Sequence, residues 1–169
     1  MAIESTEDYE MSAGVVGVVM GSDSDLSVVK LAAEELERFG ISYEVTIVSA
    51  HRTPDRLWQY VKEAINRNVK VFIVGAGGAA HLAGIIAALT IVPVIGVPLT
   101  SQALRGIDSL YSILPMPVGR PIATMTIGED GARNAAYLAA QILGLNSISI
   151  QNKLANERQE QPYLPKQTK

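Results

Sequence analysis

The sequence predicts a single α/β domain with a mostly parallel five-stranded sheet. Short apolar runs alternate with segments of helical periodicity, glycine-rich turns follow several runs, and residues 71–104 contain no charged side chain. With 169 residues, 48% of them hydrophobic, the chain has the size and composition of one domain. Glycines and prolines divide residues 71–104 into short pieces, so we expect buried strands and a helix rather than a membrane span.

The first half of the chain is predicted to form two βα units. An apolar strand at 15–20 precedes an amphipathic helix at 26–39, which ends at Gly40, a residue suited to the left-handed conformation of a helix C-terminus. The second unit pairs a strand at 43–48 with a helix at 54–66, whose first position is the proline that helix N-termini favour.

The second half continues the alternation of strands and helices. A strand at 71–74 leads through a glycine-rich turn into a helix at 80–90, and a strand at 94–97 follows. A fifth strand at 122–127 precedes a helix at 133–143.

The helix at 80–90 has almost no polar face, whereas a helix that covers one side of a monomer's sheet should be amphipathic. We therefore expect a homo-oligomer in which this helix contacts other subunits, the alternative being a helix buried in a larger monomer core. Ile85, Ile86 and Leu89 are the candidates for the outward side, and Ile86→Glu is an example of a change expected to break the assembly.

The chain divides into three predicted parts. Residues 1–12 carry four acidic side chains and no basic one, which predicts a flexible acidic arm. Residues 13–145 are expected to form the catalytic α/β domain, and residues 146–169 a C-terminal tail with one helix at 148–159. No basic segment followed by an apolar run is present at the start, so we expect a cytoplasmic protein without a signal peptide.

The composition excludes several kinds of chemistry. The absence of cysteine excludes disulfides, thiolate metal sites and a cysteine nucleophile. A net charge of −3 argues against a nucleic-acid partner. Two histidines without a nearby acidic cluster make a poor metal site, so no metal is expected.

The unusual residues cluster in the turns after the first three strands, where open α/β sheets bind ligands. An imidazole titrates near neutral pH, so His51, directly after the second strand, is the candidate acid/base. Arg52 offers the planar pair of donors that phosphate prefers. The alternatives are a hydrogen-bonded structural histidine and a solvated surface arginine.

The other two turns allow two explanations each. Ser22 and Ser24 could hold a phosphate at a helix N-terminus while Asp25 accepts hydrogen bonds from sugar hydroxyls, but the same residues are typical of a simple helix cap. The small residues at 75–80 could let a planar ring lie against the backbone, or serve close helix packing. His81 begins an apolar helix, and we expect a structural role for it.

Four segments, in order and at natural spacing, resemble the bacterial N5-carboxyaminoimidazole ribonucleotide mutase family, PurE. They are Val-Met-Gly-Ser-Asp-Ser-Asp at 19–25, Ser-Ala-His-Arg-Thr-Pro at 49–54, Gly-Ala-Gly-Gly-Ala-Ala-His-Leu at 75–82 and Asp-Ser-Leu-Tyr-Ser-Ile at 108–113. The likeness extends from about Val15 to Leu143. It implies a flavodoxin-like three-layer subunit, an octamer, and action in de novo purine synthesis without a metal or organic cofactor.

The resemblance also implies roles for residues. Ser22, Asp25 and Arg52 would bind the ribose phosphate, and His51 would be the acid/base. The reaction would move a carboxylate from the exocyclic N5 of a small-molecule ribonucleotide to ring carbon C4, by decarboxylation and recarboxylation. The candidate substrate-binding residues are Ser22, Ser24, Asp25, Ser49, Ala50, Arg52, Ala76, Gly77, Gly78 and Leu82.

The sequence departs from the family pattern in two places. Residues 115–119 are Pro-Met-Pro-Val-Gly where the family usually has Gln-Met-Pro before a glycine, and Ala83 stands where a proline usually follows His-Leu. The first could alter a loop near the base pocket, and the second could alter the entry of a helix.

Two alternative functions are also considered. One is a carboxylase that uses CO2 directly, whose branch of the family typically lacks Arg-Thr-Pro after the histidine. The other is a non-catalytic nucleotide-binding module.

Overall fold

A computed structural model describes residues 15–160, so the predicted acidic arm lies outside the described residues. Five strands form one parallel sheet in the order β2-β1-β3-β4-β5, which confirms the predicted α/β class. The strand order reverses between β1 and β3, and their carboxyl ends therefore open a crevice there. The strands are β1 Val15–Met20, β2 Tyr43–Ile47, β3 Val69–Gly77, β4 Val94–Leu99 and β5 Ala123–Thr124.

Helices cover both faces of the sheet, as in the three-layer flavodoxin-like arrangement. The helices are α1 Leu26–Phe39, α2 Pro54–Asn66, α3 Leu82–Leu89, α4 Ile107–Ile113, α5 Glu129–Gly144 and α6 Ile148–Glu160, with a short 3-10 helix at Asp23–Asp25. Side chains of α1, α5 and α6 form the core on one face, and side chains of α2, α3 and α4 form the core on the other.

The first βα unit has the predicted bounds. Val29, Ala32 and Leu36 recur at helical spacing and are buried, which explains why this segment forms a helix that packs on the sheet. Gly40 ends the helix with a φ of 67°, and its N–H donates to the carbonyl oxygen of Glu37 at 2.9 Å.

The glycine-rich segment after the third strand differs from the prediction. Gly75, Ala76 and Gly77 continue β3 instead of forming a turn, because their pairing with β4 extends to Leu99. A Cβ on Gly75 would lie 2.6 Å from Cγ2 of Val29, so this glycine lets α1 pack closely on the sheet. The packing explanation therefore holds for the first glycine of the run.

Other element bounds also differ. β4 extends two residues beyond its prediction and β2 ends one residue earlier, while β5 pairs over only two residues. α3 is shorter than predicted, α5 begins at Glu129 instead of 133, and α4 was not predicted. No helix within residues 15–160 combines the length and the apolar character needed to cross a membrane.

The described part of the tail packs onto the domain through α6. Ile150 is buried in the core beside α1 and α5. Nζ of Lys153 donates to the carbonyl oxygen of Phe39 at 2.8 Å, and Arg38 pairs with Glu157 at 2.7 Å. These contacts attach α6 to the end of α1, away from the crevice.

Helix α3 presents two different apolar faces. Leu82, Ala83 and Ile86 are buried in the core of the same chain, and Ile86 is 0% exposed. Ile85 is 36% exposed and faces outward. Placing Ile86 on the outward side was therefore wrong, because the helical phase directs it toward the sheet.

Candidate active site

A cavity of about 490 Å³ occupies the crevice at the carboxyl ends of β1, β2 and β3. The structure brings His51 and all ten candidate substrate-binding residues to its wall, and Gly21, Ala79 and Thr100 complete the lining. Three turns that lie far apart in the sequence thus form one site. The lining residues are Gly21, Ser22, Ser24, Asp25, Ser49, Ala50, His51, Arg52, Ala76, Gly77, Gly78, Ala79, Leu82 and Thr100.

The first turn is a compact network of hydroxyl and carboxylate groups. The N–H of Ser24 donates to Oγ of Ser22 at 3.4 Å and to Oδ1 of Asp23 at 3.0 Å. Ser22 therefore caps the short 3-10 helix, which is the alternative to a phosphate site given for this turn in the sequence analysis. An anion entering this turn would exchange these internal contacts for its own.

Asp25 is not used as a helix cap. It precedes α1 and makes no side-chain hydrogen bond to the helix N-terminus. Burial raises the pKa of Asp25 above its ordinary value, with the nearby Asp23 carboxylate acting in the same direction, while hydrogen bonds from Ser24 and Ser22 oppose the shift. A half-buried carboxylate that helps to form a cavity wall is suited to accept hydrogen bonds from a ligand's hydroxyl groups.

Ser49 holds the second turn in shape. Its hydroxyl accepts the N–H of Arg52 at 3.1 Å, and its carbonyl oxygen accepts the N–H and the hydroxyl of Thr53 at 3.0 and 3.1 Å. Nη2 of Arg52 donates to the carbonyl oxygen of Gly21 at 3.3 Å. The guanidinium group thus bridges from the second turn to the first and places a positive charge beside Ser22.

The two histidines of the chain are in contact. Nε2 of His51 lies 2.9 Å from Nδ1 of His81, and the rings meet edge to face with centroids 5.0 Å apart. His51 lines the cavity, whereas His81 does not. The pair joins the turn after β2 to the start of α3.

The end of β3 and the turn that follows it place Gly77 and Gly78 on the cavity wall. Gly78 has a φ of 62°, and a Cβ added to it would meet no atom within 4 Å, so this glycine serves the backbone conformation and an open surface rather than packing. Its N–H donates to Oγ of Ser109 at 2.8 Å, and that hydroxyl donates to the carbonyl oxygen of Leu99 at 2.8 Å. Helix α4 therefore anchors the glycine turn.

Two residues that line or support this site lie outside the three predicted turns. Thr100 is the first residue after β4, the same strand-end position that identified the other turns, and that position was a usable signal. Ser109 lies outside the cavity lining, is 0% exposed and acts through Gly78, so only the tertiary structure identifies its role. Ala83 and residues 115–119 do not line the cavity.

The described residues offer no group of three or more histidine or acidic side chains that could hold a metal ion. The chemistry available at the cavity wall is that of an imidazole, a guanidinium group, a carboxylate, hydroxyls and backbone amides. Such a set can bind a phosphorylated sugar and move a proton.

Comparisons with known proteins agree on one family. A family model described as AIR carboxylase matches residues 15–163. A protein of Pyrococcus horikoshii named N5-carboxyaminoimidazole ribonucleotide mutase is 59% identical over 140 residues, which cover 83% of this chain and 78% of that protein. A protein of Thermotoga maritima with the same name is 55% identical over 153 residues, covering 89% of this chain and 88% of the relative.

A solved structure supports the same grouping. The crystal structure of Treponema denticola PurE superposes with a TM-score of 0.79 at 31% sequence identity. The match covers 86% of this chain and 90% of that one. Both the sequence and the architecture of the described domain are therefore similar to those of proteins with this name.

Proposed function

The chain belongs to the AIR carboxylase family, and from this premise we propose that it is an enzyme catalysing the N5-carboxyaminoimidazole ribonucleotide (N5-CAIR) mutase reaction of purine biosynthesis. The product is 4-carboxy-5-aminoimidazole ribonucleotide (CAIR). The observation that carries the proposal is the convergence of three turns on one cavity, where an imidazole, an arginine and exposed glycine backbone meet. The high identity to relatives that carry the mutase name supports the same activity.

The phosphate end of the substrate would bind between the first and second turns. Arg52 reaches toward Gly21, and its guanidinium lies beside the hydroxyl-rich first turn, where a helix N-terminus also favours an anion. Asp25 would accept hydrogen bonds from the ribose hydroxyls. The cavity would thus use a positive charge for the phosphate and a negative charge for the ribose hydroxyls.

The aminoimidazole ring would lie between the third turn and the second turn, which carries His51. Ala76, Gly77 and Gly78 present no side chain larger than a methyl group, and Ala50 is equally small. A planar ring can approach this backbone closely, because no larger side chain stands between them. Leu82 adds an apolar contact at the same wall, where a neutral CO2 molecule would be retained.

The proposed reaction needs one proton carrier. His51 donates a proton to N5 as the bond between N5 and the carboxylate carbon breaks and CO2 is released. Ring carbon C4 then bonds to the CO2 carbon, and His51 removes the proton from C4. The proton given to N5 equals the proton taken from C4, so the enzyme returns to its starting state without a co-substrate.

The proposed functional unit is a homo-octamer in the cytoplasm. Ile85 on α3 is exposed, and Ile65, Leu89 and Ile91 border a shallow cavity of about 340 Å³ at the end of α2 and α3. Exposed apolar surface of this kind supports burial against further copies of the chain. The number of eight subunits and the cytoplasmic location rest on the resemblance and on the proposed place in purine synthesis.

An isotope experiment tests the proposed function. The purified full chain is incubated, without ATP, with N5-CAIR carrying ¹³C in its carboxylate, in buffer containing unlabelled bicarbonate. A mutase yields CAIR that retains the ¹³C label, detected by mass spectrometry. Unlabelled CAIR would identify instead a carboxylase that draws on dissolved CO2, and binding without conversion would identify a nucleotide-binding module.

A further inference from the structure

The histidine pair has a geometry that one proposed acid/base does not explain. His51 and His81 stand 30 positions apart in the sequence and on different turns, yet their ring nitrogens are 2.9 Å apart. At this distance one ring nitrogen must carry a proton and the other must offer a lone pair. The contact therefore specifies a protonation pattern, which side-chain packing alone would not require.

The pair can hold only one positive charge while this hydrogen bond persists. Two imidazolium rings would direct two N–H donors at each other, which is repulsive and leaves no acceptor. His81 occupies the N-terminal cap position of α3, where the partial positive charge of the helix disfavours a cation. The neutral acceptor is thus best placed at His81, and the charge at His51.

We infer that His81 is a positioning residue that orients His51 by accepting a hydrogen bond from its Nε2. This inference rests on the proposed acid/base role of His51. The bond occupies Nε2, so proton exchange with the substrate falls to Nδ1 of the same ring.

The backbone around both rings supports this positioning. The N–H of His81 donates to the carbonyl oxygen of Ala79 at 2.8 Å, and the carbonyl oxygen of His81 accepts the N–H of Ile85 at 3.0 Å. On the other side, Ser49 fixes the turn that carries His51. His51 lines the cavity and His81 does not, so His81 contacts the acid/base rather than the substrate.

Two nearly isosteric variants test the inference. In His81→Asn an amide oxygen lies near the former position of Nδ1 and can still accept a hydrogen bond, whereas His81→Leu has a similar shape without a polar atom. We expect His81→Leu to lower kcat by about tenfold to a hundredfold with KM changed less than about threefold, as for a displaced catalytic group. His81→Asn should recover most of kcat.

The outcomes distinguish this inference from the proposed function. Equal kcat values for His81→Leu and wild type, equal losses in both His81 variants, or a change in KM alone would overturn the positioning role. A wild type without mutase activity would overturn the proposed function and this inference together. If His81→Leu fails to fold by circular dichroism, His81→Asn decides, because a loss beyond tenfold in that folded variant contradicts rescue by an acceptor.

Discussion

At the scale of single residues, the proposed reaction requires one side chain to give and take the same proton, and His51 is the imidazole on the cavity wall. We predict that His51→Asn lowers kcat by at least about a hundredfold, because an amide cannot carry that proton. KM should stay within about tenfold, because Asn preserves much of the shape. Steady-state kinetics with N5-CAIR measures both, and retained turnover would exclude His51 as the acid/base.

Arg52 should act on binding more than on turnover. Its guanidinium donates to the carbonyl oxygen of Gly21 beside the first turn, and a phosphate held there would be bound equally in the ground and transition states. Arg52→Ala is expected to raise KM by about tenfold or more with kcat nearly unchanged. Arg52→Lys serves as the control, because it keeps the charge and loses the planar fork. A defect in kcat alone would contradict this assignment.

The ionised Asp25 carboxylate should lower the stability of the folded protein when no substrate is bound. Its pKa is raised in the folded state by burial, so the folded protein binds the Asp25 proton more tightly than the unfolded chain does. The resulting stabilisation is complete below the unfolded pKa, near 3.9 for Asp, and is lost as pH rises through the folded pKa. Asp25→Asn should therefore raise the melting temperature at pH 7 by about a few degrees and weaken substrate binding.

A pH series separates this effect from a general change in packing. The gain in melting temperature of Asp25→Asn over wild type should shrink as pH falls toward about 3, where the wild-type carboxyl is protonated in both states. Asp55→Asn is the control, because this carboxyl group is exposed on α2 and does not line the cavity. A gain that is independent of pH would show that ionisation of Asp25 is not its cause.

At the scale of elements, α4 determines the shape of the glycine turn through one buried hydroxyl. Ser109→Ala leaves the N–H of Gly78 and the carbonyl oxygen of Leu99 without their described partner. We expect a loss of about 1–3 kcal/mol in the free energy of unfolding and a higher KM. Ser112→Ala is the control, because the Ser112 hydroxyl donates at 2.8 Å to the carbonyl oxygen of Asp108 in the same helix and lies 3.4 Å from the carbonyl oxygen of Gly78. Equal losses in urea melts of both variants would refute the special role of Ser109.

Elements with local signals were predictable from the sequence, and elements defined by distant pairing were not. The bounds of α1 follow from helical spacing and from Gly40, which are contiguous in the chain. β5 is short because only Ala123 and Thr124 pair with β4, and nothing in its own apolar sequence indicates where that pairing ends. Gly75 belongs to β3 because α1 and β4 lie against it, which is again a tertiary fact.

The candidate site shows the same division. The carboxyl ends of neighbouring strands in a parallel sheet lie at the same edge, so the sequence alone could place the three turns and His51 together. The contact between His51 and His81 depends on the relative position of two loops and was not predictable from spacing. The roles of Asp25, Arg52 and His51 remain predictions that the experiments above test.

At the scale of the whole molecule, the outward face of α3 leads to a prediction about assembly. Ile85 is exposed and Ile86 is fully buried in the same helix, so adjacent positions separate assembly from folding. Ile85→Glu places a charge that must lose its hydration at any interface covering this face, at a cost of several kcal/mol. We expect a folded but smaller species.

Analytical ultracentrifugation measures the assembly, and circular dichroism measures folding in the same samples. Ile85→Leu is the matched control, because it keeps an apolar side chain of similar volume and should sediment as the wild type does. Ile86→Glu should instead lose its native circular dichroism, because it buries an unpaired charge beside Ala83 and Ala87 in the core. If the wild type sediments as a monomer, or Ile85→Glu assembles unchanged, the face of α3 that carries Ile85 is not an interface, and the apolar composition of the helix must have another cause.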